Sequence, residues 1–152
     1  MASVAGVSFI VAHRFQLTKK MALAVGRRLT RMPDDEAWRA LAAGDLEGAK
    51  FRAREMLAAA EAQSEVDWLP DDHRHRAHII LGYVHLRRGD VDAAEAELLL
   101  SSEVEATPVL GSFGPDLGLA WELLLAGRSD GVALFAQRFG RFWRGPSWHE
   151  DV

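Results

Sequence analysis

The sequence predicts an all-α fold, an antiparallel helix-hairpin α-solenoid of about three repeats with an extra N-terminal helix. Three observations predict it. Ala and Leu together supply 43 of 152 residues, against 17 for Val, Ile and Thr; Ala and Leu lose little on entering a helix, whereas β-branched side chains lose χ1 freedom there. Three segments align: Trp38-Arg-Ala-Leu-Ala-Ala-Gly44-Asp45, Tyr83-Val-His-Leu-Arg-Arg-Gly89-Asp90 and Trp121-Glu-Leu-Leu-Leu-Ala-Gly127-Arg128. In each, an aromatic residue precedes a glycine by six positions, and the glycines are 45 and 38 residues apart. Finally, apolar residues after each glycine recur in steps of three and four, the spacing of one helix face.

The elements follow in order. Leu17, Met21, Ala24, Val25 and Leu29 fall at helical spacing and predict a helix near 15–31. The first hairpin occupies 34–43 and 45–62, with the stripe Leu46, Ala49, Ala53, Leu57, Ala60 on its second helix. The second occupies 73–88 and 90–101, with Val91, Ala94 and Leu98. The third occupies 115–126 and 129–143, with Val132, Phe135, Phe139 and Phe142. Gly44, Gly89 and Gly127 suit the left-handed position that ends a helix, so each is expected at positive φ. Asp45 and Asp90 follow at once and suit the N-cap of the next helix, with Asp130 serving the third unit. Gln63–Asp72 and Ser101–Gly114, the latter with Pro108, read as connections, and Pro115 as the start of the fifth of these six helices.

These residues resemble the tetratricopeptide repeat (TPR): a Leu-Gly or Leu-Ala pair in the first helix, a turn glycine, then a small residue in the second. The middle unit carries Leu81-Gly82, Gly89-Asp90 and Ala94; the third carries Leu119-Ala120, Leu123 and Gly127; the first keeps Gly44-Asp45 and Ala49. The resemblance covers roughly residues 33–143, with connections longer than the usual repeat of about 34 residues. The string His75-Arg-Ala-His78-Ile-Ile-Leu-Gly82, with Ala94-Glu95, Leu98-Leu99, Ser112-Phe113-Gly114-Pro115 and Phe142-Trp143, also looks like an uncharacterised bacterial family of TPR-type proteins. The chain departs from that pattern at His78, at Ala106-Thr107-Pro108 and at Asp116, where the family carries Asn, Gly-Ser-Pro and Asn. The resemblance implies a helical repeat and assigns no activity.

Composition bounds the function. The chain is 49% hydrophobic and 26% charged, as in ordinary folded proteins, and no apolar run is long enough to span a bilayer, so no integral membrane segment is expected. Cysteine is absent, which removes thiolate metal sites, a cysteine nucleophile and disulfides and fits a cytoplasmic protein. Charge divides the chain into a basic segment, 1–32, and a helical domain, 33–152. The segment holds Arg14, Lys19, Lys20, Arg27, Arg28 and Arg31 and no acid; the remainder holds 12 basic and 22 acidic residues. The segment reads as a docked helix, or as a start-site or targeting extension. An acidic body lacks the basic surface that phosphate recognition needs, so no nucleic-acid partner is expected.

Candidate chemistry is thin. His73, His75, His78 and His85 invite a metal reading, but complete ligand spacing is missing; His78 and His85 fall where the repeat usually packs aromatic residues, so hydrogen-bonded core histidines are the plainer reading and no metal or cofactor is expected. His75, His78 and Ser112 suggest a polar pocket, and Asp116 would complete a triad on paper, yet no nucleophile elbow accompanies Ser112. Ser112-Phe113-Gly114-Pro115 reads first as a turn. Arg88-Gly89-Asp90 is explained by the helix-to-helix turn that it occupies.

The informative set is aromatic. Trp38, Tyr83 and Trp121 share one register on the first helix of each hairpin, with Arg76, Ile79 and Arg87 in neighbouring lining positions. Such a row suits an extended peptide or a helix. The competing reading is that the row is core, covered by the chain's own N-terminal segment. Residues 117–126 are apolar nearly all round, which demands a cover: the N-terminal helix, the tail around Trp148 or a second copy. The expected function is a non-catalytic protein–protein interaction module that binds a peptide or partner protein, with a homodimer as a further assembly; the alternative is a small-ligand or metal-dependent enzyme with a site near His75, His78 and Ser112.

Overall fold

Glycine-terminated turns define the helical hairpins. In the computed structural model, which describes residues 36–62 and 69–143, seven α-helices and no strand occur among the described residues. They are α1 (Glu36–Ala42), α2 (Leu46–Ala62), α3 (Leu69–Arg87), α4 (Val91–Ser101), α5 (Pro108–Phe113), α6 (Gly118–Leu125) and α7 (Ser129–Phe139). The expected helix over 15–31 and the tail around Trp148 lie outside the described residues. Gly44, Gly89 and Gly127 end α1, α3 and α6 at φ 78°, 80° and 84°, and the N–H of the residue after each bonds back to a carbonyl in the last helical turn: Asp45 to Ala40, Asp90 to His85, Arg128 to Leu123. Only glycine takes that conformation without a Cβ penalty.

The second helices begin on the expected aspartates in two units. Asp45 Oδ1 accepts from Gly48 N (2.9 Å) and Asp90 Oδ1 from Ala93 N (3.0 Å). The third differs: Arg128 takes the N-cap position with no side-chain bond and Asp130 sits in the first turn, where its charge still favours the helix N-terminus.

Several boundaries differ from those expected. α3 begins at Leu69, inside the expected connection Gln63–Asp72, with Asp71 and Asp72 in its first turn. The expected connection between Ser101 and Gly114 contains α5, because Thr107 caps it (Leu110 N to Oγ1, 3.0 Å) and Pro108 opens it. The helix expected from residue 115 begins at Gly118. Asp116 spends its N–H on His75 (3.0 Å) and its carboxylate on Gly118 N (2.8 Å), holding the chain in a turn until Leu117. At the C-terminal end, α7 stops before Gly140, and Trp143 folds back to bond Phe139 O (2.8 Å).

Consecutive helices pack as α1–α2, α2–α3, α3–α4 and α6–α7, and α1 meets α3, α3 meets α6, and α4 meets α6 and α7. One core runs through them, from Ala37, Ala49 and Ala53 through Ile80, Val84, Ala94 and Leu98 to Leu119, Val132 and Phe135. A Cβ on Gly82 would stand 2.2 Å from Leu119 Cδ2, so the missing side chain leaves room for Leu119 of α6 against the α3 backbone. No described helix is long and apolar enough to cross a membrane.

Candidate functional site

The shared register carries Trp38, Tyr83 and Trp121 onto α1, α3 and α6, which neighbour one another in that order. Trp38 and Tyr83 touch edge to face, with centroids 5.9 Å apart, a favoured aromatic geometry. Both are buried, at 8% and 2% exposure; Ile79 is fully buried and Trp121 half-buried. Arg76 is half-buried and Arg87 exposed at the end of α3. The row expected as an open groove is therefore largely inside, and Trp121 is its most accessible ring.

Tyr83 is chemically unusual. Its hydroxyl is buried and finds no hydrogen-bond partner among the described residues. Burial, and then the carboxylates of Asp116 and Glu122, push the phenol far above the usual tyrosine range, with Arg87 acting the other way. The proton stays on, so the group remains a buried donor without an acceptor among the described residues.

The histidines separate. His75 is buried and both ring nitrogens are engaged: Nδ1–H donates to Ser101 O at the end of α4 (2.9 Å) and Nε2 accepts from Asp116 N (3.0 Å). Accepting a backbone N–H leaves Nε2 unprotonated, which assigns the proton to Nδ1. Desolvation lowers its pKa to about 4, against an opposing push from the Ser101 bond. The ring also packs on Phe139 at 5.2 Å. His75 thus pins α3, α4 and the entry to α6 together and has no ring nitrogen free for a ligand. His78 instead donates from Nδ1 to Glu97 Oε2 on α4 (2.7 Å). It floors a shallow cavity of about 250 Å³ lined by Leu57, Glu61, Arg74, His78, Leu100 and Glu103. Ser112 is exposed on α5. The structure does not bring His75, His78 and Ser112 into one pocket, and no group of three or more His, Asp or Glu side chains among the described residues is arranged to hold a metal.

Several polar residues escaped sequence reasoning. Buried Asp72 accepts from Thr107 Oγ1 (2.7 Å), tying the start of α3 to the cap of α5. Arg138 on α7 donates to Leu99 O (2.9 Å) and Ser102 Oγ (3.1 Å), clamping the end of α4. Arg128 pairs with Asp92 and Glu95. These partners lie 33 to 39 residues apart in sequence, and no local spacing announces them. The unpartnered Tyr83 hydroxyl had one available signal: a lone tyrosine in a register otherwise held by tryptophans.

No family model matches the chain, and neither curated proteins nor solved structures supply a match.

Proposed function

We propose that the protein is a non-catalytic interaction module, a three-unit TPR-like solenoid whose first helices, α1, α3 and α6, present an aromatic face to a peptide or partner protein. The observation that carries this reading is Trp121, the ring of the row that stays half-buried, on α6 next to the helix that holds the packed Tyr83. The helix contacts support the same reading: each first helix touches the next first helix and its own second helix, as in stacked hairpins. Trp121, half-buried two helices from Trp38, supplies the kind of amphipathic ring that anchors interfaces.

The test is selection of peptides from a random display library on the full chain, followed by calorimetry. Selected peptides should lose about 1–3 kcal/mol of binding on Trp121→Ala, while the melting temperature moves little. Peptides whose affinity is indifferent to Trp121→Ala and Tyr83→Phe, or a library that returns no binder, would remove the aromatic face as a docking surface.

A further inference from the structure

His75 sits in a seam between two unequally attached parts of the chain. Helices α1 to α4 pack extensively, each on the next, whereas α6 and α7 meet α3 and α4 more sparingly. The two parts are joined through residues 103–107, which are not helical and leave Glu103, Glu105 and Ala106 exposed. Sparse packing beyond a non-helical link lets a segment open by itself, below the free energy of global unfolding. Polar ties cross the seam. Thr107 Oγ1 donates to Asp72, Arg128 pairs with Asp92 and Glu95, Arg138 reaches Leu99 O and Ser102 Oγ, and His75 Nε2 accepts from Asp116 N.

Among those ties, His75 is the residue type whose ordinary pKa lies between 5 and 7. Its ring holds both of its bonds only while neutral: a proton on Nε2 would set one N–H against the N–H of Asp116. From α4 the ring meets the Ser101 carbonyl, from α7 the Phe139 ring and from the turn into α6 an amide. The Asp116 carboxylate is spent on Gly118 N, Asp72 holds Thr107, and Glu97 of α4 holds His78. Burial, and then His78 and Arg76 on its own helix, disfavour the cation, against the opposing Ser101 bond. Two of the three groups on the ring, Asp116 and Phe139, belong to the sparsely packed part, so departure of that part gives the imidazole to water.

We propose that residues 107–143 form a leaf that opens about residues 103–107 in mildly acidic solution, with His75 as the proton-operated catch. In the closed form the ring stays neutral down to about pH 4. In the open form the solvated imidazole takes a proton near the ordinary value of about 6.5. The open form therefore binds the extra proton between those values, so opening becomes easier as pH falls through 6.5 and levels off below 4. Opening carries α6, and Trp121 with it, away from Trp38 and Tyr83. The leaf stands whether or not that aromatic row binds a partner.

Hydrogen exchange by mass spectrometry on the intact chain tests it, with protection corrected for intrinsic exchange at each pH. Amides of α6 and α7 should share one opening equilibrium, larger than that of the α3 amides by roughly 100-fold or more. That equilibrium should rise about 20-fold between pH 7 and pH 5. In His75→Gln, which keeps a polar side chain that does not titrate, the rise should shrink below about threefold; in His78→Gln, on the same helix, it should persist. Equal opening in α3, α6 and α7 means that the molecule unfolds as one body and overturns the leaf. A flat pH response in wild type, or one abolished by His78→Gln, overturns the catch. Should His75→Gln fail to fold, ring ¹⁵N shifts of wild type decide. The closed protein must show His75 as the neutral Nδ1–H form at both pH 7 and pH 5, and a protonated ring at pH 5 removes the catch.

Discussion

His75 illustrates how a chemically reactive residue type becomes structural. Its Nδ1–H reaches a carbonyl that α4 leaves over at its C-terminus, and its Nε2 takes the amide that the turn into α6 leaves over; orphan groups at helix ends need such partners. Protonation would turn an acceptor into a second donor facing Asp116 N–H, and burial alone already disfavours the cation. The folded pKa, about 4, lies below the ordinary histidine value of about 6.5. The unfolded chain therefore binds the extra proton between those values, and the stability contributed by neutral His75 is complete above pH 6.5 and lost as pH falls toward 4. Between pH 7 and 5 this amounts to about 2 kcal/mol. Urea unfolding at the two pH values checks it: wild type should lose about that much more than His75→Gln, whose amide does not titrate.

At the scale of elements, one chemical change should have different consequences at three glycines. Gly89 ends α3 at φ 80° with open space around it, so Gly89→Ala is strained by the backbone alone and should cost about 1 kcal/mol. Gly82 lies inside α3, where an added methyl would meet Leu119 at 2.2 Å. Leu119 is fully buried and cannot swing clear, so Gly82→Ala should cost about 1–3 kcal/mol by forcing α3 and α6 apart. Gly111 lies within α5 with nothing in contact, and Gly111→Ala should gain about 0.5–1 kcal/mol from helix propensity. Denaturant midpoints of the three variants, at constant m-value, give the comparison.

For the molecule as a whole, the aromatic row divides into core and rim. Trp38 and Tyr83 are mutually packed and buried, whereas Trp121 keeps part of its ring accessible. Trp38→Ala should therefore destabilise the fold by about 3–5 kcal/mol and Trp121→Ala by clearly less. Thermal melts of the two variants side by side measure that division; equal losses would place all three rings in the core.

The chain alone determined the local events. Gly44, Gly89 and Gly127 announced their turns, Asp45 and Asp90 their caps, and the Ala and Leu stripes their buried faces, because helix periodicity and the left-handed turn are properties of a few neighbouring residues. The same logic missed α5, whose cap Thr107 is held by Asp72, 35 residues earlier, and it began α6 too early because His75, 41 residues away, claims the Asp116 amide. Spacing placed Trp38, Tyr83 and Trp121 in one register. How far each sinks below the surface, and that His75, His78 and Ser112 part company, depended on which helices meet. Tertiary structure decided those points because burial and long-range hydrogen bonds join residues that the sequence keeps apart, and no local period encodes the pairing.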